Sequence, residues 1–316
     1  MKTLVINKND SGQRLDKFLS KKFKTLPLAL MNKYIRKKDI KINGKRAENS
    51  TLLSEGDVIT LYIPEEFFTS SPKEDSFKTL KPRLKIVYED ENILVVDKPS
   101  GLICHSDDKE THNTLIDNIK AYLYQKGEYS AENENSFAPS LCNRIDRNTS
   151  GLVIAAKNAE ALRDVNLLIK EKRIQKTYLA AVHGRFKEKS GIYHSYMKKD
   201  QAKNVVFSKE ERIDPSYKEA ITEYKVIDFT DDLSLVEVNL ITGRTHQIRV
   251  HFSDDGHPLL GDGKYSVNKS DREKGYKFQA LCSYKLRFSV PQGDLLHYLN
   301  GKVLTAEKPD FLKLFK

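Results

Sequence analysis

The sequence predicts an α+β protein, with a central sheet of antiparallel or mixed pairing flanked by helices and loops and a small N-terminal α/β module in front of it. Two observations carry this. Short alternating or apolar strand-like segments recur from about Arg83 onward, broken by helical spacings at 114–124 and 158–171. A stretch rich in Ser, Pro and charge, Glu65 to Pro82, separates them from an earlier, more basic segment. The 316 residues are long enough for one sizeable domain plus a smaller one. The expected division is therefore 1–64, a flexible linker over 65–82, and 83–316.

Charge narrows the class of partner. Lys and Arg number 54 against 44 Asp and Glu, a formal charge of +10, and the pI is near 9.2. An excess of this size points to a polyanion, most often nucleic acid. Cys104, Cys142 and Cys282 are widely separated and show no C-x-x-C spacing, so they build neither a disulfide framework nor a zinc site unaided. The first ten residues lack the apolar stretch of a signal peptide, and no run of about 18 apolar residues occurs. A soluble, cytoplasmic monomer without a membrane partner is expected.

In chain order, Arg14-Leu-Asp-Lys-Phe-Leu19 and Leu28-Ala-Leu-Met-Asn-Lys-Tyr-Ile35 place apolar residues at three- and four-residue steps, which predicts two short helices broken near Pro27. Ile40-Lys-Ile-Asn-Gly44 reads as a strand and tight hairpin, because Asn-Gly favours positive backbone angles. Val58 to Ile63 alternates as a strand. Residues 13–64 hold 12 Lys/Arg against 5 Asp/Glu, so +7 of the +10 is concentrated here. Lys33, Arg36, Lys37, Lys38, Lys41, Lys45 and Arg46 cluster across the second helix end and the hairpin. Such a face gains affinity for phosphates by releasing counterions, without reading sequence. In the linker, Phe67, Phe68 and Phe77 are candidates to dock on a neighbour.

Beyond it, Leu84 to Asp97 is two strands around an Asp-Glu-Asn turn, and Thr114 to Tyr124 a helix. Residues 125–140 are polar and loop-like. Leu141-Cys-Asn-Arg-Ile-Asp-Arg-Asn-Thr-Ser-Gly151 then sets Asp146 between two arginines on a loop entering the apolar strand Leu152 to Ala156. Flanking cations should lower the carboxyl pKa and keep it ionised, which suits a nucleophile or electrostatic stabiliser better than a general acid. A solvated charged turn is the plainer alternative. Asn158 caps a helix to about Glu171, and Lys176 to His183 is a strand with Tyr178 and Ala180 on one face. Ala220 to Ile227 and Leu233 to Ile241 form a strand pair. It delivers Thr242-Gly-Arg-Thr-His-Gln-Ile-Arg-Val-His-Phe252, with Arg244, His246, Arg249 and His251 as candidate chemical groups and no carboxylate at metal-ligand spacing. Gly256 to Tyr265 is glycine-rich but lacks the context of a nucleotide phosphate loop. Gln279 to Phe288 is the strand expected to close the sheet.

Two resemblances follow from these residues. Arg14-Leu-Asp-Lys-Phe-Leu, the basic helix, Ile-x-Ile-Asn-Gly-Lys and Glu-Gly-Asp-x-Ile resemble the small S4-type RNA-binding domain, which implies RNA rather than DNA as the partner. Asn143 to Gly151, Lys176-Thr-Tyr178 and Thr242 to His251, supported by Asp97-Lys-Pro-Ser-Gly101 and Gly256 to Tyr265, resemble the RluA-type pseudouridine synthases over nearly the whole chain. That resemblance implies the pseudouridine synthase fold with a mixed, mostly antiparallel sheet. It also implies isomerisation of uridine in RNA, with no cofactor and no metal. Large-subunit ribosomal RNA is the favoured substrate and transfer RNA a possible one. It makes Asp146 the catalytic carboxylate, Arg249 its ion-pair partner and Tyr178 the aromatic that stacks on uracil and can assist proton removal. Tyr178 and Arg249 are expected from distant strands. Arg144 matches the side chain that fills the space left by the extruded base, and Arg147, Arg244 and His246 fit phosphate or supporting contacts. Asn143 departs from the family's usual His. The rival readings are a non-enzymatic RNA-binding or ribosome-assembly protein, and a glycoside or nucleoside hydrolase, which would need a second carboxylate.

Overall fold

The computed structural model describes residues 1–68, 72–106 and 112–315. They divide into two compact units: Met1–Arg83, Asp107–Ser140 and Ala156–Arg163 in one, and Leu84–Ser106, Leu141–Ala155 and Asp164–Lys316 in the other. No helix among the described residues is long and apolar enough to cross a membrane.

The first unit opens with β1 (Lys2–Val5), α1 (Leu15–Lys22), α2 (Leu28–Arg36), β2 (Ile40–Ile42), β3 (Lys45–Arg46) and β4 (Val58–Leu61), the strands pairing in the order β1-β4-β2-β3. Pro27 stands at the N-cap of α2, where its missing N–H costs nothing. Asn43 and Gly44 take φ of 50° and 72°, the geometry a two-residue hairpin turn demands. Leu15, Phe18 and Leu19 of α1 and Met31 and Ile35 of α2 bury against Ile40, Ile59 and Leu61 of the sheet, each worth roughly 1.5–3 kcal/mol. Lys33, Arg36, Lys37, Lys38, Lys45 and Arg46 are all exposed, and Lys41 is half-buried with its ammonium 5.5 Å from the Tyr62 ring.

The described part of 65–82 carries regular turns. Glu65–Phe68 and Pro72–Thr79 form 3-10 turns. The phenylalanines explain it: Phe68 lies 5.5 Å from the Phe23 ring, and buried Phe77 lies 5.9 Å from Tyr124 and 5.7 Å from Tyr129. Tyr124 belongs to α3 (Leu115–Gln125), which opens on a Thr114–Asp117 capping box. The polar loop that follows is bonded in place: buried Asp10 accepts from the Ser136 hydroxyl at 2.6 Å and the Asn135 amide at 2.9 Å, while Asn9 donates to Glu134 at 2.8 Å.

The second unit is built on one large sheet. Its strands are β5 (Ile86–Glu89), β6 (Ile93–Lys98), β7 (Ser140–Leu141), β8 (Ser150–Ala156), β9 (Ile174–His183), β10 (Ser190–Asp200), β11 (Val205–Lys209), β12 (Lys218–Phe229), β13 (Leu233–Leu240), β14 (Leu281–Phe288) and β15 (Val303–Thr305). The order is β11-β10-β12-β13-β9-β14-β8-β6-β5, with β15 on β14 and β7 on β8. β14 pairs with β8 in parallel and with β9 antiparallel, so the sheet is mixed and mostly antiparallel. β14 therefore lies inside the sheet instead of closing it. Its residues 281–283 are buried and pack on both sides, which an alternating edge strand would not do. β10 and β11 carry no clean alternation because much of both faces meets solvent. The helices are α4 (Ala159–Lys170), capped by Asn158, then α5 (Gln247–Asp254) and α6 (Lys269–Glu273). Arg249 thus rides on a helix and not on the strand expected for it.

Candidate active site

Asp146 sits on the loop between β7 and β8, and carbonyls of that loop are held by groups of the segment after β6. Lys98, with no exposed surface, donates from its ammonium to the carbonyls of Pro99 (2.9 Å), Leu102 (2.7 Å) and Arg147 (2.9 Å). Burial lowers its pKa to about 8, against which the nearby Asp146 charge acts. Gly101 N–H donates to the Arg147 carbonyl at 2.9 Å and the Ser100 hydroxyl to the Asn148 carbonyl at 2.8 Å. On the other side, the Asn143 carbonyl oxygen accepts from Ile154 N–H at 2.8 Å and its amide faces the Leu152 carbonyl at 3.4 Å. Gly151 ends the loop at φ +108°, where a Cβ would stand 2.2 Å from the Ser283 carbonyl oxygen. Only glycine allows β8 to run this close to β14.

The cationic partner comes from α5. Gln247, almost fully buried, knots the preceding turn to β12: its carbonyl oxygen accepts from Arg244 N–H and the Thr242 hydroxyl, and its amide donates to the Ile221 carbonyl and the Thr222 hydroxyl, all at 2.8–2.9 Å. His246 enters the helix at φ 55°, and Arg249, three residues on, shares its face. Arg249 Nη1 lies 3.1 Å from Asp146 Oδ2. Its Nε and Nη2 make a bidentate pair with Asp262 at 2.7 and 2.8 Å. Arg249 is 7% exposed and Asp262 1%. Burial alone would weaken both charges, but their mutual hydrogen bonds and attraction outweigh it. The guanidinium is held above its ordinary pKa and the Asp262 carboxyl below its own. One cation thus faces two carboxylates, and Asp262 takes the larger share of it. Asp146 Oδ1 carries no hydrogen bond to the described residues.

His246 adds a neutral dipole. Burial drives its pKa down to about 4, the Arg249 and Lys264 charges acting the same way and Asp146 against them. The Tyr265 oxygen accepts from Val206 N–H at 3.0 Å and lies 2.7 Å from His246 Nδ1. The hydroxyl has one proton to give and a second lone pair free, so it can donate to Nδ1 or accept from it, while Nε2 lies 3.8 Å from Asp146 Oδ2. The Tyr265 ring also lies 5.1 Å below the Arg249 guanidinium.

Tyr178 projects from β9 with 6% exposure. Burial, reinforced by the Asp146 charge and opposed by a bond with Ser283, pushes its pKa up to about 12. It is a neutral phenol at physiological pH.

Not every expected group converges. His251 is buried on another face of α5, bonded to the Ser195 and Thr222 hydroxyls at 2.8 Å each, with burial lowering its pKa to about 4. Arg144 is exposed and makes no hydrogen bond or ion pair with the described residues. Arg147 is half-buried, and exposed Arg244 donates through Nε to the Glu219 carbonyl at 2.8 Å. Asp262 and Tyr265 were not singled out in the sequence. A lone carboxylate following the apolar pair Leu259-Leu260 was the available signal. Among the described residues, no group of three or more His, Cys, Asp or Glu side chains could hold a metal.

Comparison with known proteins matches residues 92–254 to the model of the RNA pseudouridylate synthase family and residues 13–59 to the S4 domain. The chain is 37% identical to an uncharacterized RNA pseudouridine synthase of Mycoplasma capricolum, covering 99% of both chains. It is 32% identical to the ribosomal large subunit pseudouridine synthase C of Escherichia coli, covering 98% of this chain and 93% of that one. Among solved structures, human RNA pseudouridylate synthase domain containing 4 superposes with a TM-score of 0.57 at 22% identity, over 72% of this chain and 90% of that one. At that identity the likeness concerns the fold.

Proposed function

The chain belongs to the RNA pseudouridylate synthase family, as an RNA uridine isomerase of the RluA type with an S4 domain, and we propose that Asp146 is its catalytic carboxylate and large-subunit ribosomal RNA its substrate. One observation supports Asp146 above all. Arg249 bridges it to buried Asp262, so the carboxylate is oriented through Oδ2 while Oδ1 stays uncommitted.

The reaction breaks the N1–C1′ bond of uridine, turns the uracil and forms a C5–C1′ bond, and the proton lost from C5 is balanced by one gained at N1, so that the product is an isomer. Oδ1 of Asp146 meets the electron-poor C1′, either stabilising its positive charge or attacking it, as glycosidase carboxylates do. Arg249 fixes the approach without neutralising the carboxylate, because Asp262 already claims two of its N–H groups. Tyr178 gives the uracil a flat apolar surface to rest and turn on. A phenol with a pKa near 12 is almost entirely un-ionised at neutral pH, which favours stacking and hydrogen bonding over proton abstraction. Arg144, exposed beside the aspartate, occupies the gap left by the extruded base. The exposed cations Lys33, Arg36, Lys37, Lys38, Lys45 and Arg46 hold RNA phosphates in a module of residues 1–64, joined through 65–82 to a catalytic region of 83–316. Ribosomal RNA as the substrate accords with the name carried by the Escherichia coli relative and with a cytoplasmic location.

The test is Asp146→Ala. Pseudouridines are mapped across total RNA exposed to the wild-type protein or the variant. Wild type should add pseudouridine at defined large-subunit positions, and the variant none while still binding that RNA. Full activity in the variant would sink the assignment, and modification confined to transfer RNA would move the substrate.

A further inference from the structure

Lys98 is fully withdrawn from water and Lys176 partly so, and only Lys98 is satisfied by the described residues. Lys98 has three backbone carbonyls around its ammonium. Lys176, half-buried on β9, has neither a hydrogen bond nor an ion pair with any described residue. Even partial withdrawal of an ammonium from water without a partner is unfavourable, and none of the described residues offsets it here. Burial correspondingly lowers the Lys176 pKa, with no neighbouring charge opposing it.

The position of this cation says what it is for. Lys176 lies two residues before Tyr178, so both side chains leave the same face of β9, about 7 Å apart along the strand. Its register partner on β14 is Leu286, fully buried and apolar. Its ammonium comes within 3.9 Å of where a Cβ of Gly243 would stand. A side chain at 243 would fill the space beside the charge, and glycine leaves it open. Arg244 follows directly, and the only hydrogen bond its guanidinium makes with the described residues is the Nε contact to the Glu219 carbonyl. An ammonium without a partner among the described residues therefore lies on the face of β9 that carries Tyr178, beside an open backbone whose next residue is a second cation.

We infer that Lys176, with the Gly243-Arg244 turn, is a phosphate-binding position that holds the RNA backbone of the nucleotide placed on Tyr178. This rests on the reading of Tyr178 as the uracil platform. Phosphate is the anion that an RNA substrate brings, and a point charge such as lysine needs no particular geometry to meet it. The basic N-terminal module gives affinity for RNA in general, while Lys176 fixes one phosphate relative to the reacting sugar.

The test uses the full chain carrying Lys176→Met, which keeps the length of the side chain and removes the charge. Binding of large-subunit ribosomal RNA is measured over a series of salt concentrations, in the Asp146→Ala background so that turnover does not interfere. The slope of log affinity against log salt should fall by about 0.7–0.9, the loss of one phosphate contact. In the otherwise wild-type protein, KM should rise about tenfold, as for one lost charge-assisted contact, with kcat within about twofold. The thermal midpoint of the RNA-free variant should be unchanged or higher, since a half-buried ammonium without a partner among the described residues has gone. An unchanged salt slope overturns the inference. A raised KM with an unchanged slope also overturns it, since it would assign Lys176 to a uracil carbonyl instead. Binding is read without catalysis, so an inactive wild-type protein would count against the proposed function and leave this result standing.

Discussion

Changing Asp262 to Asn removes one charge and almost no volume, and it tests whether Asp146, the proposed catalytic carboxylate, is set by the buried residue on the far side of Arg249. Asp262 and Arg249 share two hydrogen bonds at 2.7 and 2.8 Å in a nearly dry setting. Removing one partner of such a pair costs about 3–5 kcal/mol, because the other charge is left buried. The Asn carbonyl still accepts one N–H, recovering about 1 kcal/mol. A net loss of about 2–4 kcal/mol lowers the melting midpoint by roughly 5–15 °C for a unit of this size. The Asp262 carboxyl is held below the ordinary range, so its stabilisation is fully present at neutral pH and is lost only as pH falls through its folded value. Catalysis should suffer separately: Arg249 then has Asp146 as its only carboxylate, and the tighter pair should lower kcat by about 10–100-fold. Thermal melts at pH 7 and initial rates at a temperature where the variant remains folded separate the two effects. The double variant Arg249→Met, Asp262→Leu should be less destabilised than the sum of the single changes, since it leaves no orphan charge. If Asp262→Asn melts with wild type and retains its kcat, the clamp is idle.

Two further expectations follow from the titrating groups. Burial holds His246 and His251 at about 4, against 6.5 in an open chain, so below pH 6.5 the unfolded chain binds two protons that the folded chain refuses. Stability is full above pH 6.5 and falls on acidification towards pH 4, with a slope approaching about 2.7 kcal/mol per pH unit. Urea denaturation at pH 5, 6 and 7 measures it; His251→Gln should roughly halve the slope, and a flat profile in the wild type would contradict the neutral assignment. At Tyr178, substitution by Phe keeps the ring and should hold kcat within about fivefold, whereas Ala should lose most activity, because a phenol near pKa 12 contributes little as a base. Equal inactivity of Phe and Ala would show that the hydroxyl itself is required.

The parts of the fold that were legible are those with a local code. Asn43-Gly44 wrote its own hairpin, and the three- and four-residue spacing of α1 and α2 was enough to place them. The start of α5 was not legible, for a specific reason. Ile248, Val250 and Phe252 recur at every second residue, the signature of a strand. All of residues 247–252 are buried, so the helix has no polar face there to betray its period, and the Gln247 knot and the left-handed His246 that start it are tertiary events. The interior position of β14 was hidden similarly, since pairing order is decided by partners far away in the chain. Within the candidate site, Asp146, Tyr178 and Arg249 are expected from their motifs, but Asp262 enters only because Arg249 arrives from another element.

That dependence also changes what the residues around Asp146 are for. In the sequence Arg144 and Arg147 look like the cations that hold the carboxylate, yet its ion-pair partner stands 103 residues away. The loop's shape is held through its backbone, where Lys98, Ser100 and Gly101 grip the carbonyls of residues 147 and 148. Asn143 completes the arrangement. Its side-chain carbonyl accepts from Ile154 while its amide faces Leu152, so one small planar group serves both a donor and an acceptor on the adjoining strand. An imidazole presents its N–H and its lone pair on well-separated edges of the ring and fits this fork less readily. With the loop secured through its backbone and the carboxylate secured by α5, Arg144 is released from any structural duty, and an exposed guanidinium so placed is available to the RNA.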